Sequence, residues 1–190
     1  MKILAVDTTS TTFTAVLIDG DKTLSKSFEV GKSGHSSLIL PTIADLLTEG
    51  GVEVKDLDGV AVVVGPGSFT GIRIGVSAVT AIAYGTGAKR IAVNSFELLA
   101  YSRESGVLAI DAGHGHTYTA KLENGKIVST EFVEEKDSAT LPEDKITTTS
   151  CSVVTALDNI VRTKWAENDF VNVFEPYYMR KSQAERNNEI

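Results

Sequence analysis

The chain has a single cysteine, Cys151, in 190 residues, so it can form no internal disulfide. A lone thiol suits a reducing compartment. Basic residues do not prevail either. Eighteen Lys and Arg stand against 25 Asp and Glu, and the formal net charge is −7. That argues against an independent nucleic-acid binder, which presents a basic face. No apolar run reaches membrane-spanning length; the longest lies within residues 74–84 and reads as a buried helix. The opening Met1-Lys2-Ile3-Leu4-Ala5-Val6-Asp7 is too soon interrupted to read as a signal peptide. A cytoplasmic protein with no membrane partner is expected.

What the chain does have is a long apolar block at residues 60–87. Val60-Ala61-Val62-Val63-Val64 is β-branched and uncharged, the pattern of a buried strand. Gly65-Pro66-Gly67 ends it, and Ser68 or Thr70 can cap the helix that follows. Arg73 is the only charge in that helix. Gly71, Gly75, Ala78 and Ile82 follow helical spacing on one face; Ile72, Val76, Val79 and Ala83 follow it on another. A helix apolar nearly all round needs cover on two sides. One cover is its own sheet; the other is the rest of the chain or, since the reduced second half of the chain offers little extra cover, a second protein.

Ahead of this block, strands are expected at residues 3–7, 13–18 and 23–30, with a hairpin turn at Asp19-Gly20-Asp21. Ser33-Gly34-His35 leads into a helix over 36–49, with Leu38, Ile39, Ile43, Leu46 and Leu47 on its apolar face and Gly50-Gly51 as its stop. Behind it come a strand at 90–94 and a helix capped by Ser95 and running to about residue 103.

The chain then repeats itself. Val107-Leu108-Ala109-Ile110-Asp111 copies Ile3-Leu4-Ala5-Val6-Asp7, and Tyr118 to Gly125 parallels Phe13 to Gly20. Each copy is a strand ending in Asp, a polar turn, and a strand ending in a hairpin glycine. The second copy lacks an equivalent of the long apolar helix. It continues with a strand at 127–133, a polar loop, a helix over 153–165 capped by Ser150 or Ser152, and a last strand at 170–174. The expectation is an α/β protein of two lobes, residues 1–104 and 105–190, with duplicated βββαβα-type halves and the second lobe reduced.

Two strand-ending aspartates in duplicated lobes suggest a ligand cleft at strand carboxyl ends. Asp7, Thr8 and Thr9 on one side, with Asp111 and Gly113 on the other, are the candidate residues of a vestigial nucleotide cleft. The alternative is that both aspartates cap turns, and it is preferred for the present-day chain, because residues 145–152 contain no glycine where a base would approach. Gly65-Pro66-Gly67-Ser68 is not a phosphate loop of the Walker type, which needs a Lys before its Ser or Thr. No metal site is expected. One turn beyond His35 stands the apolar Ile39, and His114 and His116 read as a turn pair. Cys151 has no histidine near it in sequence and reads as structural.

The block Gly65-Pro66-Gly67-Ser68-Phe69-Thr70-Gly71-Ile72-Arg73-Ile74-Gly75 is similar to the TsaB family, also called YeaZ. So are Ile3 to Thr8, His35 to Pro41 and the closing Pro176-Tyr177-Tyr178-Met179-Arg180-Lys181-Ser182-Gln183-Ala184-Glu185. The resemblance implies an actin-like (ASKHA, Hsp70-like ATPase) fold. It implies a role in forming N6-threonylcarbamoyladenosine at position 37 of tRNAs, as a scaffold rather than an enzyme. In that family the paralogue TsaD is the transferase and a small ATPase, TsaE, joins the pair. TsaB pairs with TsaD, or with itself when alone, through two helices; tRNA is met only through the complex. Carried to this chain, the pairing surface comprises Leu38, Ile39, Thr42 and Leu46 of the first helix and Gly71, Ile74, Gly75, Ala78 and Ile82 of the second. No cofactor is implied beyond a residual ATP or ADP site. An ATPase or kinase-like phosphotransferase using Asp7 and Asp111 is the alternative.

Overall fold

Ile3-Leu4-Ala5-Val6 and Val60-Ala61-Val62-Val63 are apolar at every position, so each strand needs cover on both faces. In the computed structural model, which describes residues 1–30 and 35–179, the two lie side by side in the middle of a sheet. β1 (Lys2–Asp7) pairs with β4 (Gly59–Val63) in parallel and with β2 (Thr12–Asp19) in antiparallel register, Ala5 facing Val16. β3 (Lys22–Glu29) and β5 (Lys89–Val93) complete five strands in the order β3-β2-β1-β4-β5.

Alternation along the strands divides the core in two. Leu4, Val6, Val60 and Val62 meet Ile39, Ile43 and Leu46 of α1 (His35–Gly50) and Ile72, Val76 and Val79 of α2 (Phe69–Thr86). Ile3, Ala5, Ala61 and Val63 point the other way, onto Ala156, Leu157 and Val161 of α4 (Val153–Ala166). Fully burying a Leu or Val side chain is worth about 1.5–3 kcal/mol, which is ample to dock α4.

The second sheet has three antiparallel strands in the order β6-β7-β8: β6 (Gly106–Gly113), β7 (His116–Glu123) and β8 (Lys126–Val133). Its Leu108, Ala120 and Leu122 pack on Phe96 and Leu99 of α3 (Ser95–Ala100), so α3 sits between the sheets. Both halves begin with a three-stranded antiparallel meander, as the sequence repeat predicts. With an apolar helix pair on the larger sheet, the architecture is the mixed α/β of an actin-like fold.

Several local expectations shift. The cap of α3 is Asn94 rather than Ser95. Its side chain accepts the Phe96 N–H at 2.8 Å while Glu97 reaches back to the Asn94 N–H at 2.7 Å, and this capping box starts the helix one residue earlier. The helix stops at Ala100, where Tyr101 turns to extended ψ. The strand expected at 170–174 reduces to one bridge, Val171 to Arg90, because Phe174 leaves the sheet edge for the core. Ser68 caps α2 and Ser152 caps α4, accepting the Gly71 and Thr155 N–H groups. The Ser33-Gly34 lead-in and the closing Arg180 to Glu185 lie outside the described residues.

Lys164 fastens the end of α4. Its Nζ lies 2.8 Å from Asp169 Oδ2 and 3.0 Å from Glu97 Oε1, with the side chain 17% exposed. Burial by itself lowers the lysine's affinity for its proton. The hydrogen bond to Asp169 and the carboxylate of Glu97 outweigh that, and the pKa rises above its ordinary 10.5. A group held charged in this way contributes fully below its unfolded pKa, and the contribution fades as pH climbs through the raised folded value. Lys164→Met is expected to lower stability by about 2 kcal/mol near neutral pH in urea unfolding. The gap to the parent should persist to about pH 10 and close above it.

Candidate functional site: the turn after β1 and the helix seated on it

β1 ends in Asp7-Thr8-Thr9, all three buried. Asp7 Oδ1 accepts the Thr9 N–H at 2.8 Å and the Thr9 hydroxyl at 2.7 Å. Asp111, at the matching end of β6, accepts the Gly113 N–H at 2.8 Å. Each aspartate therefore closes the same Asx turn onto the residue two further on. The two differ in burial, since Asp111 is exposed and followed by a register shift in β6. The turn-capping role is thus present at both, and the donors of Thr9 are in use within the chain.

Thr8 and Thr9 are also where α2 and its lead-in loop are seated. The Thr8 hydroxyl donates to the Gly71 carbonyl at 2.7 Å. The Ser68 N–H donates to the Thr9 carbonyl at 2.7 Å, and the Ser95 N–H to the Gly65 carbonyl at 2.8 Å. A Cβ on Gly71 would overlap the Thr8 carbonyl oxygen, and one on Gly75 would overlap the Thr8 hydroxyl. Only glycine lets the helix backbone come this close.

This corrects part of the expected pairing surface. Gly71 and Gly75 are buried against the end of β1, so their small size serves an approach inside the chain. Ile39 and Leu46 are likewise core residues, 2% and 0% exposed, because the apolar stripe of α1 faces the sheet. Thr42, Ile74, Ala78 and Ile82 are half-buried, and Leu38 is exposed. The outward crest of α2 is formed by Thr70, Arg73, Ser77, Ala81 and Gly85, all exposed, with Ile74 and Ala78 beside it. On α1 the exposed large apolar residues are Leu38 and Leu40, the latter 57% exposed. The principal neighbours of α2 are β4, α1, β1 and the 3₁₀ turn Val54–Asp56; the second sheet is not among them.

His114 lies in the turn between β6 and β7 with φ +54°. His116 Nδ1 accepts the Glu135 N–H at 3.0 Å, and its ring stacks on Phe132 at 5.2 Å. Cys151 packs at the edge of the α4 core. Among the described residues no three His, Cys, Asp or Glu side chains are grouped to hold a metal ion. Two surface concavities of about 430 and 470 Å³ lie at the margins of the larger sheet. One is lined by Ala92, Val171 and Glu175, the other by Leu17, Leu24 and Glu49; neither includes Asp7 or Asp111. No described helix is long and apolar enough to cross a membrane.

The sequence reading missed one cluster. The segment after Phe174 crosses from one sheet to the other. The Tyr177 N–H donates to the Val64 carbonyl at 2.8 Å, and its hydroxyl meets Thr130 Oγ1 of β8 at 3.1 Å. Tyr178 stacks on Phe69 at 4.8 Å and accepts from Arg73 Nε at 3.1 Å. The paired tyrosines next to Pro176 are the only local hint of this in the sequence.

The family profile described as TsaD: tRNA N6-adenosine threonylcarbamoyltransferase matches residues 28–140, more than half of the chain. The chain belongs to this family. Within it, the chain is similar to proteins named tRNA threonylcarbamoyladenosine biosynthesis protein TsaB. The one from Escherichia coli K12 is 37% identical over 66% of this chain and 58% of its own length. The one from Bacillus subtilis 168 is 33% identical over 63% and 54%. Some proteins carrying the transferase's name match as well. The matched span covers a little over half the length of these TsaB relatives. The solved structure of YeaZ from Pseudomonas aeruginosa shares the fold across 94% of this chain and 99% of its own, with a TM-score of 0.77 at 24% identity. TsaB/YeaZ is thus the branch of the family that this chain resembles.

The seat of α2 can be tested directly. Gly71→Ala is expected to cost about 3 kcal/mol in urea unfolding, since its methyl group meets backbone rather than a movable side chain. Thr8→Ser, which keeps the hydroxyl donor, should cost much less.

Proposed function

We propose that this chain is the non-catalytic scaffold subunit in the formation of N6-threonylcarbamoyladenosine at position 37 of tRNA. It pairs with a TsaD-type transferase through the crest of α2 and the adjoining edge of α1, and with a second copy of itself when alone. A TsaE-type ATPase joins that pair, tRNA is met through the complex, and the work is done in the cytoplasm. The observation that carries this reading is the outward side of α2: Ala81, Tyr84 and Gly85 are exposed on a helix whose one charge is Arg73, and on α1 Leu38 and Leu40 are exposed as well. Helix surfaces that are nearly uncharged and expose apolar side chains are where proteins associate. The names of the TsaB relatives support the pathway.

The reading assigns no chemistry to Asp7 or Asp111. Asp7 is tied into its turn by Thr9, and the Thr8 hydroxyl is committed to α2. The scaffold role needs no nucleotide in this chain.

The test is association with the TsaD-type transferase from the same source, followed by calorimetry and size-exclusion chromatography. Ala81→Glu places a charge on the exposed side of α2 without touching the core. It should weaken pairing by roughly a hundredfold while leaving thermal unfolding of the free chain unchanged. Unaltered affinity in that variant would remove the crest from the interface.

A further inference from the structure

Arg73 is the single charged residue between Phe69 and Thr86. It stands on the exposed crest, next to Ile74, and it is held still. Its guanidinium carbon lies 4.0 Å from the centre of the Phe69 ring and 5.9 Å from that of Tyr178. Nε donates to the Tyr178 hydroxyl at 3.1 Å. Among the described residues the two terminal nitrogens have no hydrogen bond or ion pair. A planar fork stacked on aromatic rings with its outer donors open has already lost the freedom that binding would otherwise cost it.

The stack is completed from far along the chain. Tyr178 is delivered by the crossing segment, which Phe174 fixes in the core and Tyr177 fixes to Val64 and Thr130. The segment that links the two sheets thus also sets the direction in which Arg73 points.

We infer that Arg73 is the polar anchor of the partner contact and that the partner meets it with a carboxylate. This rests on the pairing proposed above. Charge complementarity selects the occupant: an open guanidinium, the one charge on α2, calls for an anionic group opposite it. A bidentate carboxylate satisfies its fork. The surroundings favour protein over RNA. Ile74 beside it is apolar, Thr70 and Ser77 one turn to either side are uncharged, and the described parts of α2 and α1 carry no second Lys or Arg to track a phosphate backbone. Tyr178 acts as the positioning residue.

The experiment measures affinity for the TsaD-type transferase at about 50 and about 300 mM salt. The variants are Arg73→Ala, Arg73→Lys, Tyr178→Phe and the crest control Ala81→Glu, each checked for fold by near-ultraviolet circular dichroism. Arg73→Ala should weaken binding roughly tenfold or more and flatten the salt dependence. Arg73→Lys should keep the salt dependence and lose most of the affinity, since lysine has no fork. Tyr178→Phe should retain the stack and lose a few-fold. If Ala81→Glu disrupts pairing while Arg73→Ala binds as the parent does with the same salt slope, the anchor is wrong and the scaffold reading stands. If the parent chain does not bind the transferase, the scaffold reading fails and the anchor with it. Loss of tRNA binding on Arg73→Ala with unchanged transferase affinity would overturn the carboxylate assignment in favour of phosphate.

Discussion

The hydroxyl of Thr8, donated to the Gly71 carbonyl, and the two positions without a side chain above it decide how low α2 lies on the sheet. With the helix seated there, Ile72, Val76 and Val79 reach the central strands and close the core from that side. The same contact fills the turn after β1. The Thr9 carbonyl takes the Ser68 N–H, and the Thr9 N–H and hydroxyl turn back to Asp7. The turn is the bearing on which a helix rests, and these groups have their partners within the chain.

Much of this was legible in the residues. Strand alternation, the β-branched run at 60–64 and the hairpin glycines locate the strands, and the repeat of Ile3 to Asp7 in Val107 to Asp111 announces two related sheets. The helix following Gly65-Pro66-Gly67 is apolar as read. What periodicity could not say is which body approaches a small residue. Gly71 and Gly75 fit an incoming helix and an incoming strand end equally well on a helical wheel, and only the position of Thr8 decides. Ile39 and Leu46 were misplaced for the same reason: an apolar stripe states that a face is covered and is silent on what covers it.

Contacts between distant parts of the chain were the other blind spot. Arg73 and Tyr178 are 105 residues apart, and neither has a local signal for the other. The helix α4 carries an ordinary stripe of Ala156, Leu157 and Val161 that suits either sheet. It lies on the larger one, where Ile3, Ala5, Ala61 and Val63 present a wide apolar face. The smaller sheet, with three strands, has its cover from α3.

The placement of α4 bears on how the molecule is made. All five strands of the larger sheet have left the ribosome once Val93 has emerged, yet one face of that sheet, beyond the part that Leu98 and Tyr101 cover, has no lid until Val161 follows. At about 5–20 residues per second that interval lasts on the order of several seconds, far longer than hydrophobic collapse. The nascent chain therefore carries a bare face of Ile3, Ala5, Val16, Ala61 and Val63 while the whole second meander is being synthesised.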